Sequence, residues 1–174
     1  MHHINNYNLY ASANKINHFI YYIRCINCCD MSKKSAFADE RFARFNCAQT
    51  VFSLFARDLG LDEPTALKIA SGFGGGMACG GTCGAVTGAL MVIGMKHGHS
   101  TSESKAKAHT KMIVRRFIER FKEQHGALTC KELLGFDTST PDGADAAYAE
   151  GVFDTLCPVY IKTACDLLDE EFMS

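Results

Sequence analysis

Two thiols, Cys79 and Cys83, lie in a thirteen-residue stretch, Gly72–Gly84, that holds seven glycines. Glycine admits positive φ and lets other groups come close, so the stretch can bend a thiol toward a partner. Thr82 is placed to cap a helix whose first residue would be Cys83. A thiolate there meets unpaired N–H groups and the positive end of the helix dipole, which lowers its pKa and makes it a nucleophile or a metal ligand. Cys130 repeats the arrangement, since it follows Thr129 and Thr129-x-x-Glu132 is a capping box. Cys157 precedes Pro158, a first-turn residue, so Cys157 is a cap candidate for the last helix. Cys47, between Asn46 and Ala48, reads as lying inside a longer helix, where a lone cysteine is mostly a small core hydrophobe. Cys165 reads the same way.

Two chemistries fit such thiols. A thiol of lowered pKa beside a second thiol performs disulfide exchange: the thiolate attacks and the neighbour resolves the mixed disulfide. Alternatively, Cys79-x3-Cys83 has the spacing of a zinc half-site, and Cys130 and Cys157 would complete four ligands. Other chemistries lack support. The glycine run has no Gly-Lys-Ser/Thr and no strand before it, which excludes a phosphate loop. His97, His99, His109 and His125 lie on or beside a basic helix and read as solvated side chains, not as members of a Ser/His/Asp set.

The elements that must position these thiols are helical. Phe42, Phe45, Gln49, Phe52, Phe55 and Leu59 recur at steps of three and four, predicting one helix from about Ala38 to Leu59, stopped by Gly60. Asp62-Glu63-Pro64 opens a second helix that runs to Gly72. The third, Cys83 to His97, is apolar nearly all round and should be the buried central helix. Gly84 and Gly88 within it are a close-packing signal. Ser100-x-x-Glu103 predicts a capping box for a fourth, basic helix with Ile113, Phe117 and Phe121 on its apolar face, ended by Gly126. A short helix at Cys130–Leu134 follows, then a polar loop over 137–143, a helix from Asp145 to Leu156, and the last helix after Cys157. No β period extends beyond a few residues.

The chain has 174 residues and a formal net charge of −1, so length predicts one ordinary domain and no global field argues for nucleic acid or a membrane. Charge is uneven locally: residues 101–125 are basic, while 131–174 carry ten acids against Lys131 and Lys162. These predict one basic and one acidic surface that face or neighbour each other. The nine cysteines occur without a secretory signal pattern at the start and without a run long enough to span a bilayer. The expected compartment is therefore the cytoplasm, where cysteines serve metal or redox chemistry more than static cross-links. Residues 1–30, rich in Asn, Tyr, Ile and His and ending in Cys25-Ile26-Asn27-Cys28-Cys29, read as an upstream extension ahead of a domain at 31–174. The other reading is a genuine tail whose C-x2-C-C is half a metal site.

Taken in order, Asn46-Cys47-Ala48-Gln49, Gly72-Phe73-Gly74-Gly75-Gly76-Met77, Cys83-Gly84-Ala85-Val86-Thr87-Gly88-Ala89, Cys130-Lys131-Glu132-Leu133-Leu134-Gly135 and Cys157 resemble the C_GCAxxG_C_C family of redox-active proteins over about residues 35–170. The central Cys-Gly-Ala-x-x-Gly motif is specific, and the flanking cysteines add weight together. The resemblance implies a small bacterial or archaeal protein whose redox role rests on four cysteines, here Cys47, Cys83, Cys130 and Cys157. Cys79 and Cys165 are additional to that pattern.

The resulting expectation is an all-α bundle of five to six helices around the glycine-rich helix, with the four thiols converging on one site. In the first reading Cys83 is the nucleophile of a thiol redox protein and Cys79, Cys47 or Cys130 resolves, with a small thiol or an unidentified redox protein as partner. In the second, Cys47, Cys83, Cys130 and Cys157 ligate zinc or an iron–sulfur cluster. Gly84, Ala85 and Gly88 are candidate cofactor contacts. A third reading is a helical interaction protein with incidental cysteines.

Overall fold

The computed structural model describes residues 33–173; the readings made for residues 1–30, including Cys25, Cys28 and Cys29, lie outside them. Among the described residues the fold is all-α. A 3-10 turn at Lys34–Phe37 leads into α1 (Ala38–Phe42), followed by α2 (Cys47–Ala56), α3 (Glu63–Ala70), α4 (Gly84–His97) and α5 (Ser104–His125). The chain ends with α6 (Cys130–Leu134), α7 (Pro141–Ala149), α8 (Val152–Thr155) and α9 (Cys157–Leu167).

The long helix expected over 38–59 is divided. Its aromatic stripe is real, but Asn46 forms a capping box with Gln49: the Asn46 side chain accepts from the Gln49 N–H at 2.9 Å, and the Gln49 side chain accepts from the Asn46 N–H at 3.1 Å. This satisfies two free donors and starts a new helix at Cys47. The helix expected from Asp145 likewise begins earlier, at Pro141, because Thr140 caps it by accepting from the Gly143 N–H. It breaks at Gly151, whose φ of 65° is left-handed. The expected box at Ser100 does not form; Glu103 holds the cap position of α5 without a side-chain cap bond.

Helix α4 packs against α2, α5 and α9. Its buried Val86, Ala89, Val92 and Ile93 share a core with Val51, Phe52 and Phe55 of α2, Phe117 and Phe121 of α5, and Ile161 and Ala164 of α9. Each fully buried phenylalanine contributes about 1.5–3 kcal/mol of transfer free energy. Two glycines set the α2–α4 approach. A Cβ on Gly84 would lie 2.9 Å from the Cys47 Cβ, and one on Gly88 would lie 2.8 Å from the Ala48 carbonyl oxygen.

The ends of the domain are tied by charge. The Lys34 N–H donates to Asp169 at 2.7 Å, Ser35 donates to Asp166 at 2.7 Å, and Lys33 meets Glu170 at 2.6 Å. Glu170 thus neutralises Lys33, while Asp166 and Asp169 accept hydrogen bonds from the first turn of the domain. No helix among the described residues is long and apolar enough to cross a membrane.

Candidate redox site

Four thiols stand at four helix starts. Cys47, Cys130 and Cys157 are the first residues of α2, α6 and α9, and Cys83 is the cap residue of α4. Three of these positions differ from expectation. Cys47 is not mid-helix, because the capping box restarts the chain just before it. Thr82 is not the α4 cap: it is held in an antiparallel bridge with Thr129, which moves the cap role to Cys83. Cys157 is one residue inside α9, and Leu156 before it already has helical angles of φ −96° and ψ −40°.

The bridge joins the two central segments. The Cys83 N–H donates to the Leu128 carbonyl at 2.8 Å, and the Cys130 N–H donates to the Gly81 carbonyl at 2.7 Å. The glycine-rich stretch delivers this edge. Gly75, Gly76, Met77 and Ala78 all lie in the left-handed region, at φ of 58°, 61°, 60° and 56°. For Met77 and Ala78 that conformation costs about 1–2 kcal/mol each. The Gly81 N–H closes the turn on the Gly76 carbonyl at 3.0 Å, and a side chain on Gly76 would strike the Gly81 oxygen at 2.5 Å.

The thiols then fall into two neighbouring pairs, Cys83 with Cys130 and Cys47 with Cys157, each close enough for one thiol to shift the ionisation of the other. Cys157 is also close enough to Cys130 for their charges to interact, and so is Cys47 to Cys83 and Cys130. All are buried, with Cys83 2%, Cys130 and Cys157 4%, and Cys47 7% exposed. Cys79 is different: it is exposed, and its thiol donates to the Gly76 carbonyl at 3.2 Å. Cys165 is buried in the core, as its sequence reading expected. Gly84, Ala85 and Gly88 are buried, and the two glycines lie against α2.

Electrostatics separate the members of the first pair. The Cys130 thiol donating to it holds the Cys83 thiol below the ordinary range; burial opposes this, and the N–H groups of Ala85 and Val86 reinforce it. Those N–H contacts fall short of a formed cap bond, yet they favour negative charge at the helix start. The Cys130 thiol is pushed up, first by its bond to Cys83 and then by burial. Cys47 is raised well above the ordinary range by its bond to Cys157 and by burial. The cluster thus favours a thiolate on Cys83 and the protonated form on Cys130 and Cys47.

This has a stability consequence. Cys47, Cys130 and Cys165 have raised thiols, so their contribution is complete below the ordinary thiol value of 9.0 and is lost as pH rises beyond it. Cys83 is depressed, so its contribution is present above 9.0 and lost only as pH falls through its folded value. Unfolding of the fully reduced protein in urea is therefore expected to shift to lower midpoints above pH 9, each raised thiol removing up to about 1.4 kcal/mol per pH unit. An unchanged midpoint between pH 8 and 10.5 contradicts the assignment.

Tyr160 was not marked by sequence reasoning. It is three residues after Cys157, one helical turn along the same face, and that spacing is the signal that could have found it. Its buried hydroxyl donates to the Leu133 carbonyl at 2.7 Å, tying α9 to α6. Burial, then Cys83, Cys157 and Cys130, hold it above the ordinary tyrosine range. His125, expected to be solvated, is half-buried: its ring lies 5.0 Å from that of Tyr160, and its Nε2 is 3.0 Å from the Thr163 hydroxyl. His97 is also partnered, with Nε2 2.8 Å from the Phe172 carbonyl.

A zinc or iron–sulfur centre on Cys47, Cys83, Cys130 and Cys157 would need four thiolates around one point. Among the described residues no group of three or more His, Cys, Asp or Glu side chains is arranged to hold a metal ion.

The family model described as "Putative redox-active protein (C_GCAxxG_C_C)" matches residues 45–171. The match contains every member of the thiol cluster. The chain belongs to this family. No curated protein and no solved structure matches it. In this C_GCAxxG_C_C protein the central Cys-Gly-Ala-x-x-Gly motif is Cys83 to Gly88: the thiol that caps α4, followed by the two glycines that admit α2.

Proposed function

We propose that this C_GCAxxG_C_C protein exchanges electrons through a Cys83–Cys130 dithiol. The observation that carries this reading is the Thr82–Thr129 bridge, which sets Cys83 and Cys130 side by side at two helix starts, the first thiol held low and the second high. A small disulfide is the substrate class, because the sulfurs are almost fully buried. The Cys83 thiolate attacks one sulfur of the small disulfide, forming a mixed disulfide and expelling one thiolate. Cys130 gives its proton to the departing thiolate or to water and attacks the Cys83 sulfur. The Cys83–Cys130 bond forms, the second small thiol leaves, and the protein has lost two electrons to the substrate. In the reverse direction two small thiols reduce the pair. The low-pKa member is the attacking group and the best leaving group, which suits it to both directions.

The test is a titration of the reduced full chain with oxidised glutathione, acid quench, alkylation and peptide mapping. Cys83–Cys130 is the expected first disulfide. A first disulfide that joins Cys79 to Cys83, or stoichiometric zinc or iron held by the four thiols, overturns the reading.

A further inference from the structure

We propose that Cys47 and Cys157 form a second dithiol that reduces the Cys83–Cys130 disulfide by exchange inside the protein, so that the cluster stores four electrons and passes them two at a time. This rests on the dithiol reading of Cys83 and Cys130 and names the internal partner of that pair.

The argument is geometric first. The thiols form a path: the Thr82–Thr129 bridge sets Cys83 beside Cys130, and Cys157 lies near enough to both Cys130 and Cys47 to shift their ionisation. Two structural ties hold the pairs against each other. Tyr160, one turn after Cys157, bonds to Leu133 on the helix that begins with Cys130. On the other side, the missing side chain at Gly84 lets the Cys47 Cβ come to 2.9 Å from where a Cβ on the residue after Cys83 would lie.

The order of exchange follows from leaving-group chemistry. In a Cys83–Cys130 disulfide, attack on the Cys130 sulfur expels Cys83, the thiol with the lowered pKa, and the lower-pKa thiol leaves faster. Cys157, outside that pair, is close enough to Cys130 for their charges to interact. Cys157 releases its proton to water and its thiolate attacks Cys130. The Cys130–Cys157 bond forms, the Cys83–Cys130 bond breaks, and the electron pair stays on Cys83. Cys47 then attacks the Cys157 sulfur and its proton passes to Cys130 as that sulfur leaves. The Cys47–Cys157 bond forms and the Cys130–Cys157 bond breaks. Two electrons have moved from Cys47 and Cys157 to Cys83 and Cys130, and one proton has gone to solvent. Stabilisation of the Cys83 thiolate favours the reduced form of the first pair, which is the product of this exchange.

The test uses the reduced full chain mixed with oxidised glutathione, quenched in acid from milliseconds to minutes, with every disulfide mapped by mass. The expected course is Cys83–Cys130 first, its decay as Cys47–Cys157 grows, and regeneration of Cys83–Cys130 by further oxidant. In Cys157→Ser the first disulfide should form at an unchanged rate and persist. In Cys47→Ser the mixed Cys130–Cys157 bond should be trapped. In Cys83→Ser, appearance of Cys47–Cys157 should slow at least about 100-fold. The wild-type course needs no variant to fold. If Cys83–Cys130 forms while Cys47 and Cys157 stay reduced, the internal exchange is wrong and the dithiol reading stands. If Cys47–Cys157 forms at an undiminished rate in Cys83→Ser, the exchange is wrong because the second pair is oxidised directly. If no Cys83–Cys130 bond appears at any time, both fall.

Discussion

Cys83→Ser is expected to react with oxidised glutathione at least about 1,000-fold more slowly than the wild type, a loss of the size seen when a nucleophile is removed. Neither Cys130 nor Cys47 can replace it. Cys130 and Cys47 are held in the protonated form at neutral pH, and the thiolate is the attacking species. The substitution is also expected to leave the fold intact. Residue 83 is the cap of α4, and serine is among the preferred cap residues, so the helix start gains a formed hydrogen bond where sulfur made only a longer contact. Stopped-flow consumption of the oxidant, with thermal unfolding measured on the same samples, separates chemistry from stability. A variant that folds and retains more than a tenth of the wild-type rate shows that Cys83 is not the nucleophile.

Three glycine-to-alanine substitutions on α4 are expected to act with opposite signs. In Gly84→Ala the new methyl would sit 2.9 Å from the Cys47 Cβ and 3.0 Å from the Ala48 nitrogen; in Gly88→Ala it would sit 2.8 Å from the Ala48 oxygen. Backbone atoms of a packed helix cannot give way without moving α2, so each should destabilise by about 1–3 kcal/mol, the usual range for overpacking. In Gly94→Ala the methyl meets nothing within 4 Å. There the higher helix propensity of alanine acts alone and should stabilise by up to about 1 kcal/mol. Urea unfolding of the three variants reads the signs directly. Gly84→Ala should in addition slow Cys47–Cys157 formation, because the carbon carrying the Cys47 sulfur is the atom displaced. Three stabilised variants would mean that α2 and α4 are not in the contact described.

The helical character of the chain and the elements around Cys83 and Cys130 were legible because their signals are local. Thr129 caps α6 by accepting from the Glu132 N–H, although the Glu132 carboxylate bonds the Thr129 hydroxyl and not the backbone N–H of a full box, and Gly60, Gly126 and Gly135 stop helices as expected. The role of Cys47 was hidden by a competing local signal. A stripe of phenylalanines with helical period ran across residues 43–46, and the Asn46-x-x-Gln49 box inside it divides the chain although the period continues. Thr82 was misassigned for a non-local reason: an oxygen-bearing residue before a glycine-rich helix looks like a cap, but its backbone is taken by Thr129, 47 residues away. No periodicity predicts that bridge. The pairing within the thiol cluster was equally out of reach, since it depends on which helix starts meet in three dimensions.

That bridge also decides which partner Cys83 has. In an unfolded chain, ring closure favours near neighbours, and Cys79 is four residues from Cys83 while Cys130 is 47 away. The entropy difference between closing those two loops is about 2 kcal/mol in favour of Cys79. In the native protein the two strands of the bridge hold residues 83 and 130 side by side and leave Cys79 exposed with a backbone carbonyl as its partner. Oxidation before folding is therefore expected to favour the small Cys79–Cys83 ring, and oxidation after folding the proposed Cys83–Cys130 bond.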